Sequence, residues 1–597
     1  MSSKINVRFK MSSKIKELVV AFLFFSSTIY GQPAFVDVTN SSGFAHNYDG
    51  YRYGGGVACG DFNGDNYLDL FVLNGLGLRN LLCLNNGDGT FEEVGESAGL
   101  TDTASSVGVV CADIDNDGDL DIYVTNFESE NKLYLNDGFA NFVDVTKSAG
   151  VGDPGPGSSV AMADYNNDGF LDIYVLNRSL VYPSVFYQNQ GDGTFVDVAG
   201  PTGTRIVGTF LGVSFFDYDN DRDLDLIAIG EYERDQLFRN EGDGTFTNVS
   251  MSAGMLTTYG MGLDFIDYNG DGFFDIHIAD YSRDYFLRNN TDGTFTNIAV
   301  EIGVANPGVG WGVNFMDYDN DGDKDLYVIN GPMTGLAKEA PNVFYRNDGT
   351  GHFIEETQKV GLSYTGDGRG SVCADFNRDG YLDLFMVYVL RGQSRLLLNS
   401  GGTNNWIVLK LVGTRSNRSA IGAKVLVKAG NLKQIDEVRA GSSYASMHPL
   451  ELEFGLGQES IDLIEIQWPS GIQQRLENVG VNQVLTITEP VTSNNNSNLP
   501  IKIQLHQNHP NPFNGGTGIS YSLPEDGDAE LKITNIVGQI IMSHYLGEKP
   551  AGNNLEVWSG EDKSGRSVAS GIYFYQVVSR SKSGVFRSEI KKMLKIK

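Results

Sequence analysis

The sequence is poor in cysteine and in basic residues. Only 4 of its 597 residues are Cys, which is too few for a disulfide framework, and no Cys-x-x-Cys pair indicates a zinc or redox site. Lys and Arg number 44 against 75 Asp and Glu, so the formal net charge is −31. That charge excludes nucleic acid and anionic lipid as expected partners, because both require a basic surface. It favours cations as ligands.

Proline is also scarce, whereas glycine is abundant. The chain has 16 Pro, 73 Gly and 11% aromatic residues. This combination is typical of many tight turns between β-strands, not of a disordered chain. At ~150 residues per domain, the length allows about four domains.

Long apolar runs are absent except near the start of the chain. Lys14 and Lys16 precede the apolar run 18–30, and Gly31 follows it. A charged segment, a short apolar segment and a small residue predict a secretory signal peptide over residues 1–31. No later segment has ~18 uninterrupted apolar residues, so we expect no transmembrane helix after cleavage. The sequence MSSKI occurs at 1–5 and at 11–15, which leaves Met1 and Met11 as alternative starts.

An acidic nonapeptide recurs seven times. Its copies begin at Asp61, Asp113, Asp164, Asp217, Asp267, Asp317 and Asp375. The spacing ranges from 50 residues (267 − 217) to 58 residues (375 − 317). A period near 50 with four strand-like runs per unit is typical of a β-propeller.

The phase of the repeat predicts how the propeller closes. In the first unit, apolar runs at 56–60, 68–73, 81–84 and 90–94 predict four strands, with the acidic loop between the first two. A copy of the strand-four pattern lies at 34–39, ahead of every unit, and none follows the seventh unit. We therefore predict seven blades over residues 32–400, with the N-terminal strand completing blade seven.

The nonapeptides carry oxygen ligands at fixed offsets. Positions 1, 3, 5 and 9 are Asp or Asn, and position 7 varies, as expected if its backbone carbonyl is the ligand. Five hard oxygens favour Ca²⁺, which takes 6–8 of them, over Mg²⁺, and the lack of His and Cys disfavours zinc and copper. The predicted ligands of up to seven structural Ca²⁺ are Asp61, Asn63, Asp65, Tyr67, Asp69; Asp113, Asp115, Asp117, Asp119, Asp121; Asp164, Asn166, Asp168, Phe170, Asp172; Asp217, Asp219, Asp221, Asp223, Asp225; Asp267, Asn269, Asp271, Phe273, Asp275; Asp317, Asp319, Asp321, Asp323, Asp325; and Asp375, Asn377, Asp379, Tyr381, Asp383.

Two alternative interpretations of the loops are weaker. A solvated acidic turn would not require the same offsets seven times. An EF-hand requires Glu at position 12, which is Val72, Val124 and Val175 in the first three copies.

The copies differ in two ways that predict unequal sites. Position 3 is Asp in copies two, four and six and Asn in the others, so the even loops offer one more carboxylate. Position 6 is Gly in five copies, but it is Asn66 in the first and Arg222 in the fourth. Arg tolerates a left-handed turn less well than Gly or Asn, which makes loop four the weakest by backbone geometry and strong by charge.

These units resemble FG-GAP/VCBS repeats, the calcium-loop blades of integrin-α-like propellers. The resemblance covers about 370 residues and implies structural calcium, often with adhesion or ligand binding on the propeller surface. Ligand-binding residues concentrate on variable surface loops. The variable loops on the face opposite the predicted calcium loops carry Arg178, Tyr182, Tyr232, Arg234, Tyr281 and Arg283. Ordinary solvated loops remain the simpler interpretation of them.

Two further β regions follow the propeller. Residues 401–490 alternate apolar and polar residues and contain NRSAIGA (417–423), GSSY (441–444), FGLG (454–457) and WPSG (468–471), which resemble the ASPIC/UnbV domain. A polar linker is predicted at 491–500. Residues 501–597 contain QNHPNPFN (507–514), NIVGQ (535–539), VASGIYFY (568–575) and a Lys-rich end. They resemble the C-terminal sorting domain of type IX secretion cargo, which implies an Ig-like sandwich and a Bacteroidota-like bacterium.

The expected architecture is therefore all-β, a seven-bladed β-propeller followed by two β-sandwich domains. We predict a secreted or outer-membrane surface protein that binds calcium and mediates adhesion or recognition of an extracellular protein or glycan, with the type IX machinery as a further partner. No HExxH, GxSxG or Walker motif is present, although a Ser/His/Asp triad can assemble from distant residues. The alternatives are a lyase-like polysaccharide-active enzyme using a central cleft and a passive surface-layer component.

Overall fold

The computed structural model describes residues 35–48, 50–75, 77–256, 259–332, 340–390, 392–491, 503–505, 507–508, 511–514, 516–524, 527–550, 552–564, 566–581, 584–588 and 590–596. The predicted signal peptide (1–31) lies outside these residues, as does the predicted linker except for residue 491. Among the described residues, no helix is long and apolar enough to cross a membrane.

The first two-thirds of the chain forms seven blades, each a sheet of four antiparallel strands. Blade one contains β2 (Val57–Gly60), β3 (Asp69–Val72), β4 (Leu81–Asn85) and β5 (Phe91–Glu93). Blade two contains β6 (Ser106–Ala112), β7 (Asp121–Asn126), β8 (Lys132–Asn136) and β9 (Phe142–Asp144). Blade three contains β10 (Gly157–Ala163), β11 (Asp172–Ser179), β12 (Val185–Asn189) and β13 (Phe195–Asp197). Blade four contains β14 (Gly208–Phe216), β15 (Asp225–Gly230), β16 (Gln236–Asn240) and β17 (Phe246–Asn248).

The remaining blades repeat this order. Blade five contains β18 (Gly260–Ile266), β19 (Asp275–Asp280), β20 (Tyr285–Asn289) and β21 (Phe295–Asn297). Blade six contains β22 (Gly310–Met316), β23 (Asp325–Asn330), β24 (Val343–Asn347) and β25 (Phe353–Glu355). Blade seven contains β26 (Gly368–Ala374), β27 (Asp383–Tyr388), β28 (Arg395–Asn399) and, as its fourth strand, β1 (Phe35–Asp37).

The N-terminal strand closes the propeller as predicted. Strand β1 pairs antiparallel with β28, with Phe35 opposite Asn399 and Asp37 opposite Leu397. This pairing covers the outer edge of blade seven with a segment more than 350 residues distant in sequence. A second unusual pairing joins blades three and four, because the extended end of β11 pairs with β14 at Arg178 and Thr209.

Burial decreases from the propeller axis outwards. Each first strand is buried along nearly all of its length, whereas a fourth strand typically has one inward-facing Phe followed by two exposed residues. Cys59, Cys111 and Cys373 are free, buried first-strand residues, as their position in the repeat predicts. Within the described part of the chain, four single-turn helices follow fourth strands: α1 (Thr146–Ala149), α2 (Ala199–Thr202), α3 (Ala299–Ile302) and α4 (Thr357–Val360). Each ends at a Gly in the left-handed conformation.

A first β-sandwich follows the propeller. One of its sheets has the order β32-β29-β35 and the other β31-β30-β33-β34. The strands are β29 (Asn405–Val412), β30 (Lys424–Ala429), β31 (Leu432–Glu437), β32 (Leu452–Gly457), β33 (Ile461–Gln467), β34 (Gln473–Leu476) and β35 (Gln483–Thr488).

A second β-sandwich ends the chain. One sheet has the order β36-β37-β40; in the other, β39-β38-β41-β42 are adjacent and β43 also pairs with β41. The strands are β36 (Gln504–Leu505), β37 (Thr517–Leu523), β38 (Gly527–Asn535), β39 (Ile540–Lys549), β40 (Gly552–Trp558), β41 (Gly571–Ser581), β42 (Gly584–Arg587) and β43 (Lys591–Lys595). The fold is thus the predicted one, all-β with a propeller and two sandwiches.

One segment of the first sandwich, residues 440–448, runs into the centre of the propeller. We call it the axial segment. It contacts the first strand of every blade through the following pairs: Met447 N to Val57 O, Val109 N to Ala445 O, Met162 N to Ala440 O, Ser214 Oγ to Gly441 O, Leu263 N to Ser443 O, Val313 N to Ser443 Oγ and Ser371 Oγ to Ser443 Oγ, at 2.8–3.4 Å. The centre of the propeller is therefore filled by the chain's own backbone.

Candidate functional site

The seven acidic loops share one hydrogen-bonding pattern at position 1. The carboxylate of Asp113 accepts the N–H groups of Asp117 (3.0 Å) and Gly118 (2.8 Å). The first Asp of each of the other loops accepts the N–H groups of positions 5 and 6 in the same way, at 2.8–3.3 Å. These bonds fold the loop around the first carboxylate and direct the later side chains to one centre.

Position 9 ties each loop to its blade. In loop two, Asp121 Oδ2 accepts the N–H of Ile114 (2.9 Å), and Oδ1 accepts the N–H of Asn136 at the end of strand three (2.9 Å). The same two bonds recur in every loop at 2.7–3.4 Å. Because β3, β7 and the other second strands begin at this Asp, the loop and the sheet fix each other's position.

The even loops bring three carboxylates together. Asp113, Asp115 and Asp121 have ligand oxygens within 4.8 Å of one another, as do Asp217, Asp219 and Asp225, and Asp317, Asp319 and Asp325. In the odd loops position 3 is Asn, whose amide donates to the position 5 carboxylate, as Asn63 does to Asp65 at 2.9 Å. This agrees with the predicted difference in carboxylate number between even and odd loops.

The side chains at position 7 do not point to the loop centre. They lie against the turn between strands three and four, where Gly87 is next to the Tyr67 ring and Gly138 is next to the Asp119 carboxylate. These turn glycines have φ of 72° and 77°, and a Cβ would come within about 2.4–2.6 Å of the neighbouring side chain. Only the backbone carbonyl at position 7 is left as a possible ligand, in agreement with the sequence variation there.

Burial makes the loop carboxylates difficult to ionise without a cation. Burial is the largest cause of the shift that raises the pKa of Asp113 and Asp375 to about 7, and that of Asp121 and Asp275 to about 8. Neighbouring loop carboxylates raise these pKa values further. A bound divalent cation would reverse both effects, and three or four oxygens around one centre are a donor set that suits Ca²⁺. The residues present therefore fit a hard divalent ion.

A set of contacts between loops was not anticipated from the sequence. Side chains at position 4 reach the next loop: Asn116 donates to Gly169 O, Asn167 to Asp223 Oδ1, Asn220 to Gly272 O, Asn320 to Gly380 O and Arg378 to Asn66 O, at 2.6–3.1 Å. In loops one and five position 4 is Gly64 or Gly270. The signal in the sequence is the identity of position 4, which is Asn in four loops, Arg in one and Gly in two.

The first sandwich covers the loop face of the propeller. Ion pairs join Arg378 to Glu451 (2.6 Å) and Lys324 to Asp436. The Asp113 N–H donates to the Ser419 hydroxyl (2.9 Å), and the Gly457 N–H donates to Asn320 O (2.8 Å). The acidic loops are thus both blade connections and the surface on which the sandwich docks.

The opposite face ends in a cluster of aromatic and charged side chains. Tyr444, at the tip of the axial segment, donates to Tyr53 O (2.7 Å). The Arg178 guanidinium stacks 4.0 Å from the Tyr53 ring and donates through Nε to Glu231 Oε2 (2.8 Å). Arg369 lies 3.8 Å from the Trp311 ring. Of the variable-loop residues singled out in the sequence, Tyr182, Tyr232 and Tyr281 are exposed, whereas Arg178 is used in this cluster.

One group of side chains resembles a catalytic triad. The Cys373 sulfur lies 3.7 Å from His448 Nδ1, and His448 Nε2 lies 3.6 Å from Asp264 Oδ2. The second distance is too long for a hydrogen bond. Cys373 and Asp264 belong to propeller strands and His448 to the end of the axial segment, so the group lies where the sandwich covers the propeller.

Known families match most of this architecture. The model of the FG-GAP-like repeat matches residues 61–124, 113–175, 217–278, 267–328 and 335–386, which include all seven acidic loops. The ASPIC and UnbV model matches residues 413–494, and the FlgD Ig-like domain model matches residues 508–583. The chain contains FG-GAP-like repeats and an ASPIC/UnbV domain. The C-terminal match is to the FlgD Ig-like domain, so the type IX assignment stays a prediction.

Curated relatives match the chain over much of their length. The chain is 27% identical over 512 residues to cartilage acidic protein 1 of Mus musculus, covering 77% of each chain. It is 28% identical over 432 residues to the Homo sapiens protein of the same name, covering 65% of this chain and 63% of that one. Among solved structures, PorZ of Porphyromonas gingivalis matches at 12% identity over 90% of this chain and 81% of that chain, but its TM-score of 0.25 is too low to support an argument.

Proposed function

We propose that this chain is a secreted, calcium-binding propeller protein that recognises an extracellular ligand. The observation that carries the proposal is the set of seven loops with one hydrogen-bonding pattern, of which the even loops bring three carboxylates within 4.8 Å of one another and burial raises the pKa of Asp113 and Asp121. The proposed calcium ligands are the Asp and Asn side chains at positions 1, 3, 5 and 9 and the carbonyl at position 7. Each ion would neutralise carboxylates that burial otherwise protonates.

The proposed role of calcium is structural, because each loop also holds neighbouring parts of the molecule. Asn136 donates its side-chain amide to Phe62 O of the preceding blade (2.9 Å), and its backbone N–H bonds to Asp121. A bound ion would therefore stabilise the loop, the contact between blades and the docking surface of the sandwich together. Calcium bound only by the folded state stabilises it by mass action.

Recognition rather than catalysis is favoured by the axial segment. A polysaccharide lyase needs an accessible base and a group that neutralises a uronate. The central cleft expected for such an enzyme is occupied by residues 440–448 in this structure. The same segment lies over the group formed by Cys373, His448 and Asp264, in which Cys373 and Asp264 are buried and His448 is only partly exposed.

Secretion and surface display belong to the same proposal. The predicted signal peptide, the FG-GAP-like repeats and the relationship to cartilage acidic protein 1 support an extracellular protein. The motifs at 507–514 and 568–575 support export by a type IX system in a Bacteroidota-like bacterium, with the second sandwich as the sorting signal.

The test has two parts. Metal analysis of purified protein after dialysis against calcium should find several tightly bound Ca²⁺ per chain, and the Asp121→Asn/Asp225→Asn/Asp325→Asn variant should hold fewer. Arrays of glycans and extracellular proteins, probed with and without calcium, should then reveal a calcium-dependent ligand. A chain that binds no calcium would contradict the proposal. Release of unsaturated uronides from a polysaccharide would favour the lyase alternative.

A further inference from the structure

The loops are joined to one another at five of the seven positions around the propeller. At loops two, three, four, six and seven, the position 4 side chain bonds to the following loop. At loops one and five, Gly64 and Gly270 have no side chain to make this contact. Both glycines have left-handed φ (76° and 70°), but Asn adopts that conformation at position 4 of four other loops with φ of 55–64°. The backbone therefore does not require Gly at either place.

The junction of loops three and four shows what the two glycines leave out. There the Asn167 amide donates to the Asp223 carboxylate at position 7 of the next loop (3.1 Å). The equivalent carboxylates after Gly64 and Gly270 are those of Asp119 and Asp323. Neither of these two carboxylates accepts a hydrogen bond from any residue that the structure describes. Each is a partly exposed acceptor without a partner.

A cleft opens at each of these two junctions. The cleft between loops one and two has a volume of about 260 Å³ and is lined by Gly64, Asp119 and Lys410. The cleft between loops five and six has a volume of about 390 Å³ and is lined by Gly270, Asp323 and Lys433. The two are equivalent in design: a glycine at position 4, an acidic position 7 and a lysine from the first sandwich.

The lysines belong to the part of the sandwich that covers each cleft. Lys410 Nζ lies 3.7 Å from Asp61 Oδ2, and Lys433 Nζ donates to Gly270 O at 3.2 Å. Each cleft thus has a carboxylate acceptor and an ammonium donor. The lining also includes apolar side chains, Leu411 in the smaller cleft and Leu432 and Tyr268 in the larger one. Further charged side chains line both clefts, among them Arg418 and Glu451 in the smaller one and Lys324 and Asp436 in the larger one.

This chemistry selects for hydroxyl groups. A hydroxyl can donate to a carboxylate and accept from an ammonium at the same time. A carboxylate or sulfate group would be attracted by the lysine but repelled by Asp119 or Asp323, and an ammonium group would be attracted by the carboxylate but repelled by the lysine, so neither charge is favoured by both groups. A sugar ring presents several hydroxyls on an apolar carbon frame, and the cleft volumes are close to the lower end of small-ligand sites, about 300 Å³.

We propose that the clefts at Gly64 and Gly270 are two equivalent binding sites for uncharged carbohydrate, formed jointly by the metal loops and the first sandwich. The proposal rests on the proposed function, since it names the ligand class and the place of recognition. The glycines keep the clefts open, Asp119 and Asp323 accept from sugar hydroxyls, and Lys410 and Lys433 donate to them. Two sites on one chain would strengthen binding to a polymer by raising the effective concentration of the second site.

The test uses neutral oligosaccharides as probes. Cellotetraose, mannotetraose, xylotetraose and the N-acetylglucosamine tetramer are arrayed beside polygalacturonate and heparin, and the affinity of each neutral saccharide bound by full-length, calcium-loaded protein is measured by calorimetry. The Gly64→Asn/Gly270→Asn variant should close both clefts by installing the amide found at loop three. We expect at least one neutral saccharide to bind and this variant to weaken that binding by about tenfold or more.

Two further variants keep the test decisive. Gly77→Asn has a similar φ (83°), no atom near its added Cβ and a place outside the clefts, so it should bind like the wild type. Asp119→Asn/Asp323→Asn preserves side-chain shape but removes the charged acceptors, so it should also weaken binding. This variant keeps the proposal testable if the glycine variant fails to fold. Three results would overturn the proposal. The protein could bind only uronate or sulfated polymers, it could bind none of the neutral saccharides, or both cleft variants could bind a neutral saccharide with wild-type affinity. If calcium still raises the melting temperature in those cases, the proposed calcium-binding function survives and only the clefts are wrong.

Discussion

The two faces of the propeller are built on opposite principles. The loop face repeats one acidic motif seven times and lies under the first sandwich, whereas the opposite face has connections of varied sequence and exposes Tyr182, Tyr232 and Tyr281. Repetition on the loop face is explained by one shared task, since every loop folds around its first Asp and ties it to a sheet. The repeated residues therefore support the structure. Ligand specificity can arise at residues that depart from the repeat, such as Gly64 and Gly270.

Removing calcium should produce the largest effect and should act through the loop face. When the free calcium concentration is 100 times the Kd of a site, binding at that site stabilises the folded state by about 2.7 kcal/mol. We expect a calcium chelator to lower the melting temperature by more than about 10 °C, measured by calorimetry. Restoring excess calcium should reverse the change. An unchanged melting curve would contradict a structural role for the metal.

Shortening the side chain of Tyr444 in the axial segment should have the next largest effect on stability. Tyr444 is fully buried, packs 4.9 Å from the Trp311 ring and bonds to Tyr53 O. The Tyr444→Ala variant should lose about 3–5 kcal/mol of unfolding free energy, measured by urea denaturation. The control Tyr232→Ala removes an exposed ring from the opposite face and should change the unfolding free energy by less than about 0.5 kcal/mol. Equal effects would mean that the axial segment does not hold the two domains together.

The pH dependence of stability should change direction with calcium. Burial raises the pKa of Asp121 and Asp275 to about 8, above the ordinary value of 3.8. Without calcium, these groups favour folding fully below pH ~4, and the contribution is lost as pH rises towards 8, because the unfolded chain ionises first. With calcium, protons compete with the metal, so stability should rise over the same range.

Melting temperatures measured from pH 5 to pH 8, in chelator and in calcium, test this reversal. The curves should have opposite slopes. Parallel curves would show that the loop carboxylates are not the calcium ligands.

The smallest effect concerns backbone strain in loop four. Arg222 occupies position 6 with φ of 81°, where five other loops have Gly. Arg222→Gly removes a Cβ from the left-handed region and should stabilise the chelated protein by about 0.5–1 kcal/mol. Asn66→Gly is the matched control, because Asn tolerates this conformation and should gain less. A stabilisation of equal size in both variants would locate the effect elsewhere than in strain.

Much of the architecture was predictable because the repeat is local in sequence. The spacing of the nonapeptides predicts seven blades, and the early copy of strand four at 34–39 predicts the β1–β28 pairing. The proposed ligand offsets also rest on local sequence, since all five proposed ligand positions fall within nine residues, and they stay a prediction. The difference between Asp115 and Asn63 at position 3 already indicates unequal loops.

Contacts between segments distant in sequence could not be predicted in this way. No pattern in the axial segment (440–448) indicates that it enters the propeller, because its partners are single residues from seven different blades. Likewise, the sequence alone presents Gly64 only as a turn residue. Its significance appears when the hydrogen bond between Asn167 and Asp223 shows which contact is missing at the equivalent junction.

The number of blades, the closing strand and the oxygen-bearing side chains of each loop follow from the amino-acid sequence alone, because they depend on periodicity and on residue types within a short stretch. Three features appear only in the folded molecule: the first sandwich covers the loops, its axial segment fills the centre, and two junctions between loops stay open. Those features depend on which distant surfaces meet, and packing between them has no local signature in the chain.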